Sequence, residues 1–266
     1  MRRRAGLLGM VTVLFMLGLI APSLAASLDL AYKNVGISLG NSPRLTGVRL
    51  NFVDRNVEEI NGINLTVWKP GPSPRGRVNG ISLALIGISM ERLAGVHVAT
   101  IGMAADRMWG INAALIGLAP KKQLTGVGIG LIGVGGGDFK GFTVGGIGVG
   151  GEEIEGITIG GLGVGAEEIR GFGIGLIGVG AERLGGVFLG GIGVGGEKMS
   201  GVALGIVGAG GEDLKGFFAG GIGAGGETLT GVGLGLLGVG AKELRGAALG
   251  GLGCQVHYAK GLTTGL

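Results

Sequence analysis

The sequence predicts an all-β fold, a β-solenoid of about 14 stacked 15-residue coils, from three observations. The first is composition. Glycine supplies 67 of 266 residues, against a usual share of about 7%. With 46% hydrophobic and only 15% charged residues, the chain lacks the low hydrophobicity and high charge of a disordered one. It has 6 prolines and no glycine at every third place, which excludes collagen. The second is a period. Gly126, Gly141, Gly156, Gly171, Gly186, Gly201, Gly216, Gly231 and Gly246 stand 15 residues apart. The frame extends back through Gly110, Gly95, Gly80, Gly62 and Gly47, with one extra residue before Gly126 and three before Gly80. The third is the alternation inside each unit.

Taking the anchor glycine as position 1, positions 2 and 4 are apolar, as in Phe172 and Ile174. Positions 5 and 8 are glycine from Gly130 onward. Positions 7 and 9 are apolar (Ile177, Val179), position 12 is usually glutamate, and position 14 is apolar again (Ile169, Leu184). Period-two alternation is a strand signal. Helix is disfavoured, because each interior glycine costs about 0.5–1 kcal/mol relative to alanine. Positions 2 and 4 differ in parity from 7 and 9, so one straight strand cannot bury both pairs. The chain must bend near the glycine at position 5 and again around positions 10–13, which closes a coil. One coil cannot bury its apolar residues alone; a stack can.

An up-and-down β-barrel or other hairpin array is the alternative, since ten-residue apolar segments with short turns could cross an outer membrane. Position 6 favours it somewhat, alternating in Leu131, Gly146, Gly161, Leu176, Gly191, Ile206, Gly221, Leu236 and Gly251. Low aromatic content and the parity switch speak against it.

Residues 1–25 read as a signal peptide. Arg2, Arg3 and Arg4 precede the apolar run Leu7 to Ile20, and small residues lead to cleavage after Ala25. Residues 26–46 are expected to cap the N-terminal end. Residues 47–125 form irregular repeats with a proline loop at 68–76, expected to project from the stack. Residues 126–253 form the regular repeats, and 254–266 a C-terminal cap. The net charge of +4 includes the three signal arginines. Residues 26–125 hold 11 Lys/Arg and 6 Asp/Glu, a net of +5; the rest holds 8 and 12, a net of −4. The basic balance therefore does not point to nucleic acid. The single Cys254 falls at an apolar repeat position, where a buried thiol is expected.

Little in the chain reads as chemistry. GxGxxG occurs at Gly128-Gly130-Gly133, but as a by-product of the repeat and with no helix to follow. Glu152, Glu167, Glu182, Glu197, Glu212 and Glu227 would form an acidic ladder, read as a solvated turn offset by Arg170, Arg183, Lys198 and Lys215. His97 and His257 lie far apart in sequence. Thr143 and Thr158 are too few for an ice-binding lattice. No catalytic, metal or cofactor residues are expected. Trp68, Lys69 and Arg75 in the proline loop are the candidate partner-binding residues.

The units Gly80-Ile-Ser-Leu-Ala-Leu-Ile-Gly-Ile and Gly171-Phe-Gly-Ile-Gly-Leu-Ile-Gly-Val resemble the GLQIGLVN-type repeats of bacterial exported surface-repeat proteins, over roughly residues 47–253. The Gln of that repeat is here Gly, Thr, Ala or Phe, and the Asn is Gly. The resemblance implies a place in the periplasm, at the outer membrane or on the cell surface. With the repeat, it leads us to expect a non-enzymatic structural protein, adhesive or self-associating, whose partners are its own copies or envelope components. An integral outer-membrane barrel, a pore or anchor, is the alternative.

Overall fold

The computed structural model describes residues 27–68, 70, 71, 73 and 75–265. The signal segment with Ala25, and Lys69 of the loop, lie outside the described residues. The chain is a β-solenoid and forms two compact units, one ending at Thr100 and one starting at Ile101.

The first unit opens with a hairpin. β1 (Leu28–Tyr32) pairs antiparallel with β2 (Val35–Leu39), joined by Lys33-Asn34, both at positive φ. A two-residue turn of that kind matches the twist of the flanking strands. From β2 onward every pairing in the unit is parallel: β3 (Arg44–Asn51), β4 (Glu59–Thr66), β5 (Arg77–Ala84) and β6 (Gly87–Ala99). The register aligns Gly36, Gly47, Gly62, Gly80 and Gly95. Gly36 is an anchor that the 15-residue period misses, because its coil is 11 residues long. In the segment 26–46, expected as a cap, the described residues 27–46 form a hairpin plus a first coil.

The three residues added before Gly80 enlarge the proline loop, and among its described residues Trp68, Gly71 and Ser73 are tied back to the neighbouring turn. Trp68 N donates to Phe52 O at 2.8 Å and Gly71 N to Asp54 O at 2.6 Å. Val57 N donates to the Ser73 hydroxyl at 3.3 Å, and Ser73 is buried. The backbone groups of these described residues thus find partners on the neighbouring turn.

In the second unit β7 (Gly102–Ala114), β8 (Gly117–Gly130), β9 (Gly133–Gly135) and β10 (Asp138–Gly145) lead into eight strands at a 15-residue interval. These are β11 (Gly148–Gly160), β12 (Gly163–Gly175), β13 (Gly178–Gly190), β14 (Gly193–Gly205), β15 (Gly208–Gly220), β16 (Gly223–Gly235), β17 (Gly238–Gly250) and β18 (Gly253–Thr264). Each pairs in parallel with the next, like on like: Ile154, Ile169, Leu184 and Met199 form one row. The extra residue before Gly126 is a bulge, where Ala105 and Arg107 pair with Pro120 and Gln123. Parallel neighbours exclude the up-and-down barrel, which needs antiparallel ones. Segment 254–266 lies mostly in β18, which continues the register through Gly261 and leaves Tyr258 and Leu262 exposed. Cys254 is only half-buried there.

One expectation is reversed. Positions 2 and 4 do not fill the core. The side chains inside the coil are those of positions 3, 9 and 14, with the position-5 glycine. In the coil of Gly186 these are Phe188, Val194 and Met199; Val187, Ile192 and, in the preceding coil, Leu176 face out. The physical reason is the tight corner after position 5. A Cβ on Gly175 would stand 2.1 Å from the Gly178 carbonyl oxygen, three residues further round. Large side chains at 2 and 4 have no space inside, and position 3 carries whatever volume the interior admits. Phe188 covers Gly173, whose Cβ would meet the ring at 2.9 Å. The row alternates large and small, through Gly173, Phe188, Ala203, Phe218 and Gly233.

Candidate functional site

The reversed alternation puts an apolar face on the outside. In the second unit Leu131, Leu176, Ile206 and Leu236 at position 6 are 63%, 71%, 75% and 75% exposed. Position 7 adds Ile147, Ile177, Ile192, Ile222 and Leu237, each about half-exposed. Between rows 4 and 6 runs a groove of about 710 Å³. Its floor is the position-5 row from Gly175 to Gly235. One wall is formed by residues such as Leu189, Leu204 and Leu234, and the other by Leu176, Ile206 and Leu236. No charged side chain lines it. Soluble monomers seldom expose apolar patches beyond a few hundred Å² without a use for them. In the first unit Ile81, Leu83, Leu85, Val96 and Val98 are likewise exposed.

Charge sits elsewhere on the coil, at positions 12, 13 and 15. It forms a mixed lattice rather than an acidic ladder. Arg170 bridges Glu168 at 2.6 Å, Glu153 at 3.2 Å and Glu155 at 3.4 Å, Arg183 reaches Glu168 at 3.0 Å, and Lys242 pairs with Glu227. Partial burial alone would raise the Glu168 pKa, but Arg183 and Arg170 outweigh it and hold the carboxyl below its usual value. Such exposed pairs contribute little stability. Among the described residues no three His, Cys, Asp or Glu side chains converge to hold a metal.

The first unit hides polar groups that sequence reading assigned to no site. Position 3 there runs Ser38, Arg49, Asn64, Ser82 and His97, all fully buried. Arg49 Nη1 donates to Asp54 Oδ1 at 2.5 Å and to Asn64 Oδ1 at 2.9 Å; Nη2 donates to Asn41 Oδ1 at 2.6 Å. Asp54 also accepts from Asn51 at 2.8 Å and from the Thr66 hydroxyl at 2.7 Å. Both charged side chains are 0% exposed. Burial pulls the Arg49 pKa below its usual value, against the opposing pull of Asp54. The Asp54 oxygens are engaged by the chain itself, so the cluster is a closed internal clasp rather than a cleft. Polar residue types at position 3 could have signalled it, had position 3 been read as inward.

His97 extends that buried row. Burial is the chief cause that pushes its pKa from 6.5 down to about 4, against a smaller upward pull from the Ala94 backbone. The folded form therefore keeps the neutral ring while the unfolded form binds a proton below pH 6.5. The contribution is fully present above pH 6.5 and is lost as pH falls towards 4, to the extent of roughly 3 kcal/mol. Position 3 accepts phenylalanine elsewhere (Phe188, Phe218). His97→Phe is thus expected to remove this acid sensitivity. Urea midpoints of both forms at pH 7 and 4.5 check it; equal acid losses in the two would assign the sensitivity to the carboxylates.

Of the residues expected to bind a partner, Trp68 is 43% exposed and stacks on Phe52, ring centroids 5.8 Å apart and planes 8° apart. Arg75 is exposed in the turn closing the same loop. The two lie at opposite ends of it, and the described structure does not gather them into one site. Thr143 and Thr158 face the interior, at 1% and 0% exposure, and present no lattice to water. The chain matches no protein-family model, no curated protein and no solved structure.

Proposed function

We propose that the protein is an exported, non-enzymatic structural repeat protein of the cell envelope or surface, acting through its apolar face. The apolar rows at positions 4, 6 and 7 carry this reading: rows 4 and 7 are apolar in every regular coil, row 6 adds large apolar side chains at Leu131, Leu176, Ile206 and Leu236, and together they offer a partner a lattice. The arginine-led apolar N-terminus supports export, and Ala25 is the expected cleavage point. Trp68 and Arg75 flank a loop that a partner could also contact.

Fractionation of cells expressing the full chain, with mass determination of its N-terminus, tests this. The expected product begins at Ala26 and is found outside the cytoplasm. An intact N-terminus on a protein that stays in the cytoplasm refutes export. A Trp68→Ala variant that still binds envelope material as the parent does would remove the loop from the reading and leave the apolar face.

A further inference from the structure

Row 6 is not a plain hydrophobic stripe. In successive coils from Gly171 it reads Leu176, Gly191, Ile206, Gly221, Leu236, Gly251, a knob and a notch alternating. With coils about 4.8 Å apart, knobs recur every ~9.6 Å. The glycine backbone comes so close to the preceding coil that a Cβ on Gly191 would stand 1.7 Å from the Leu176 carbonyl oxygen. The notches therefore cannot be filled, while the knobs stand out at 71–75% exposure. No described part of the chain covers them.

This pattern is complementary to itself under a two-fold axis. If the axis passes between the coils carrying Ile206 and Gly221, each knob of one copy faces a notch of the other. Leu176 meets Gly251, Ile206 meets Gly221 and Leu236 meets Gly191, with none left over. We propose that the face centred on row 6, with the groove on one side and row 7 on the other, is a self-docking face, on which two copies of this chain pack antiparallel in that register. The proposal rests on the functional reading above only in taking the apolar face as the working surface.

Three further points favour a second copy. The interface is isologous, so it closes at two copies rather than growing into a fibre. The coils anchored from Gly171 to Gly246 fall within the overlap. Six coils at about 4.8 Å and five residues at about 3.3 Å give a face of roughly 480 Å² a side. The sum, about 950 Å², is in the range of weak, transient interfaces, which fits a reversible dimer. Finally, the groove is free of charged residues, so the net negative charge of this half of the chain is not buried between the copies. Lipid chains would have no use for a two-coil alternation.

Sedimentation equilibrium on the purified protein tests the proposal, beside the variant carrying Leu176→Ser, Ile206→Ser and Leu236→Ser. All three positions are exposed, so the far-ultraviolet spectrum should not change. The parent is expected to dimerise reversibly and the variant to weaken dimerisation at least 100-fold. A thiol at Ile206→Cys, in a Cys254→Ala background, would lie about one coil (~5 Å along the axis) from its copy. It should cross-link, whereas Leu131→Cys, some eleven coils (~53 Å) from its own copy, should not. A parent that remains monomeric, a dimer indifferent to the three serines, or cross-linking at 131 instead of 206 would each overturn the proposal. So would a monomeric parent that co-sediments with phosphatidylcholine vesicles when the serine variant does not, which assigns the face to lipid. These readouts do not depend on where the cell places the protein, so failure of export and failure of docking are told apart.

Discussion

Gly171→Ala is expected to destabilise the second unit by on the order of 4 kcal/mol, enough to unfold the coils around it. Gly171 lies at φ +127°, and its Cβ would stand 2.2 Å from the Gly156 carbonyl oxygen. Two costs combine. The backbone conformation is one that L-residues rarely adopt, and the obstacle is backbone, which cannot swing aside as a side chain would. The same geometry recurs at every anchor. The carbonyl oxygen of the preceding anchor is 2.0–2.4 Å from the ideal Cβ in each pair from Gly126 to Gly246. Gly240→Ala is the control, since a Cβ there meets nothing within 4 Å. Amide hydrogen exchange on both variants checks the expectation. Protection should collapse in the coils flanking Gly156 and Gly186 in the first, and persist in the second. Equal protection would mean that the anchors tolerate a side chain and that the period has another origin.

Asp54→Ala is expected to cost the first unit about 3–5 kcal/mol, because it leaves Arg49 charged, buried and without its counter-ion. Arg49→Met should cost a similar amount from the other side. Removing both should cost less than the two losses added together, since no isolated charge then remains in the core. Trp68 reports on this unit. With Trp109→Phe it is the sole tryptophan, and its stacking on Phe52 makes its emission sensitive to unfolding. Urea denaturation followed at Trp68 gives the three free energies of the cycle. Additive losses would show that Arg49 and Asp54 act independently, against the 2.5 Å contact.

The two expectations rest on different kinds of legibility. The anchor row was visible as a period from Gly47 to Gly246, because every coil needs the same backbone conformation at the same place. Gly36 escaped because its coil is short, and Gly261 because the chain beyond Gly253 reads as less regular. The clasp was not visible. Arg49 and Asp54 looked like ordinary charges in an irregular unit, and nothing local distinguishes a buried arginine from a solvated one. Asn41, Asn51, Asn64 and Thr66 come to Asp54 and Arg49 from three successive coils. That meeting depends on the stack.

The groove lies between these cases. Position 4 reads as apolar in the sequence, and position 6 as a near-alternation of a large apolar residue with glycine that by itself favours hairpins. The sequence by itself determined the repeat length, the strand class, the bends and the sites where no side chain fits. Only the tertiary structure decided which side of each strand is inside. Alternation shows that positions 2 and 4 share a face and positions 3 and 5 share the other, and it is symmetric between the two. The interior is set by how closely the backbone turns at Gly175 and its equivalents approach one another, a distance that exists only once the coil has closed. Because that interior is narrow, the larger apolar residues were left outside, and the exposed knobs and notches from Leu176 to Gly251 follow from it.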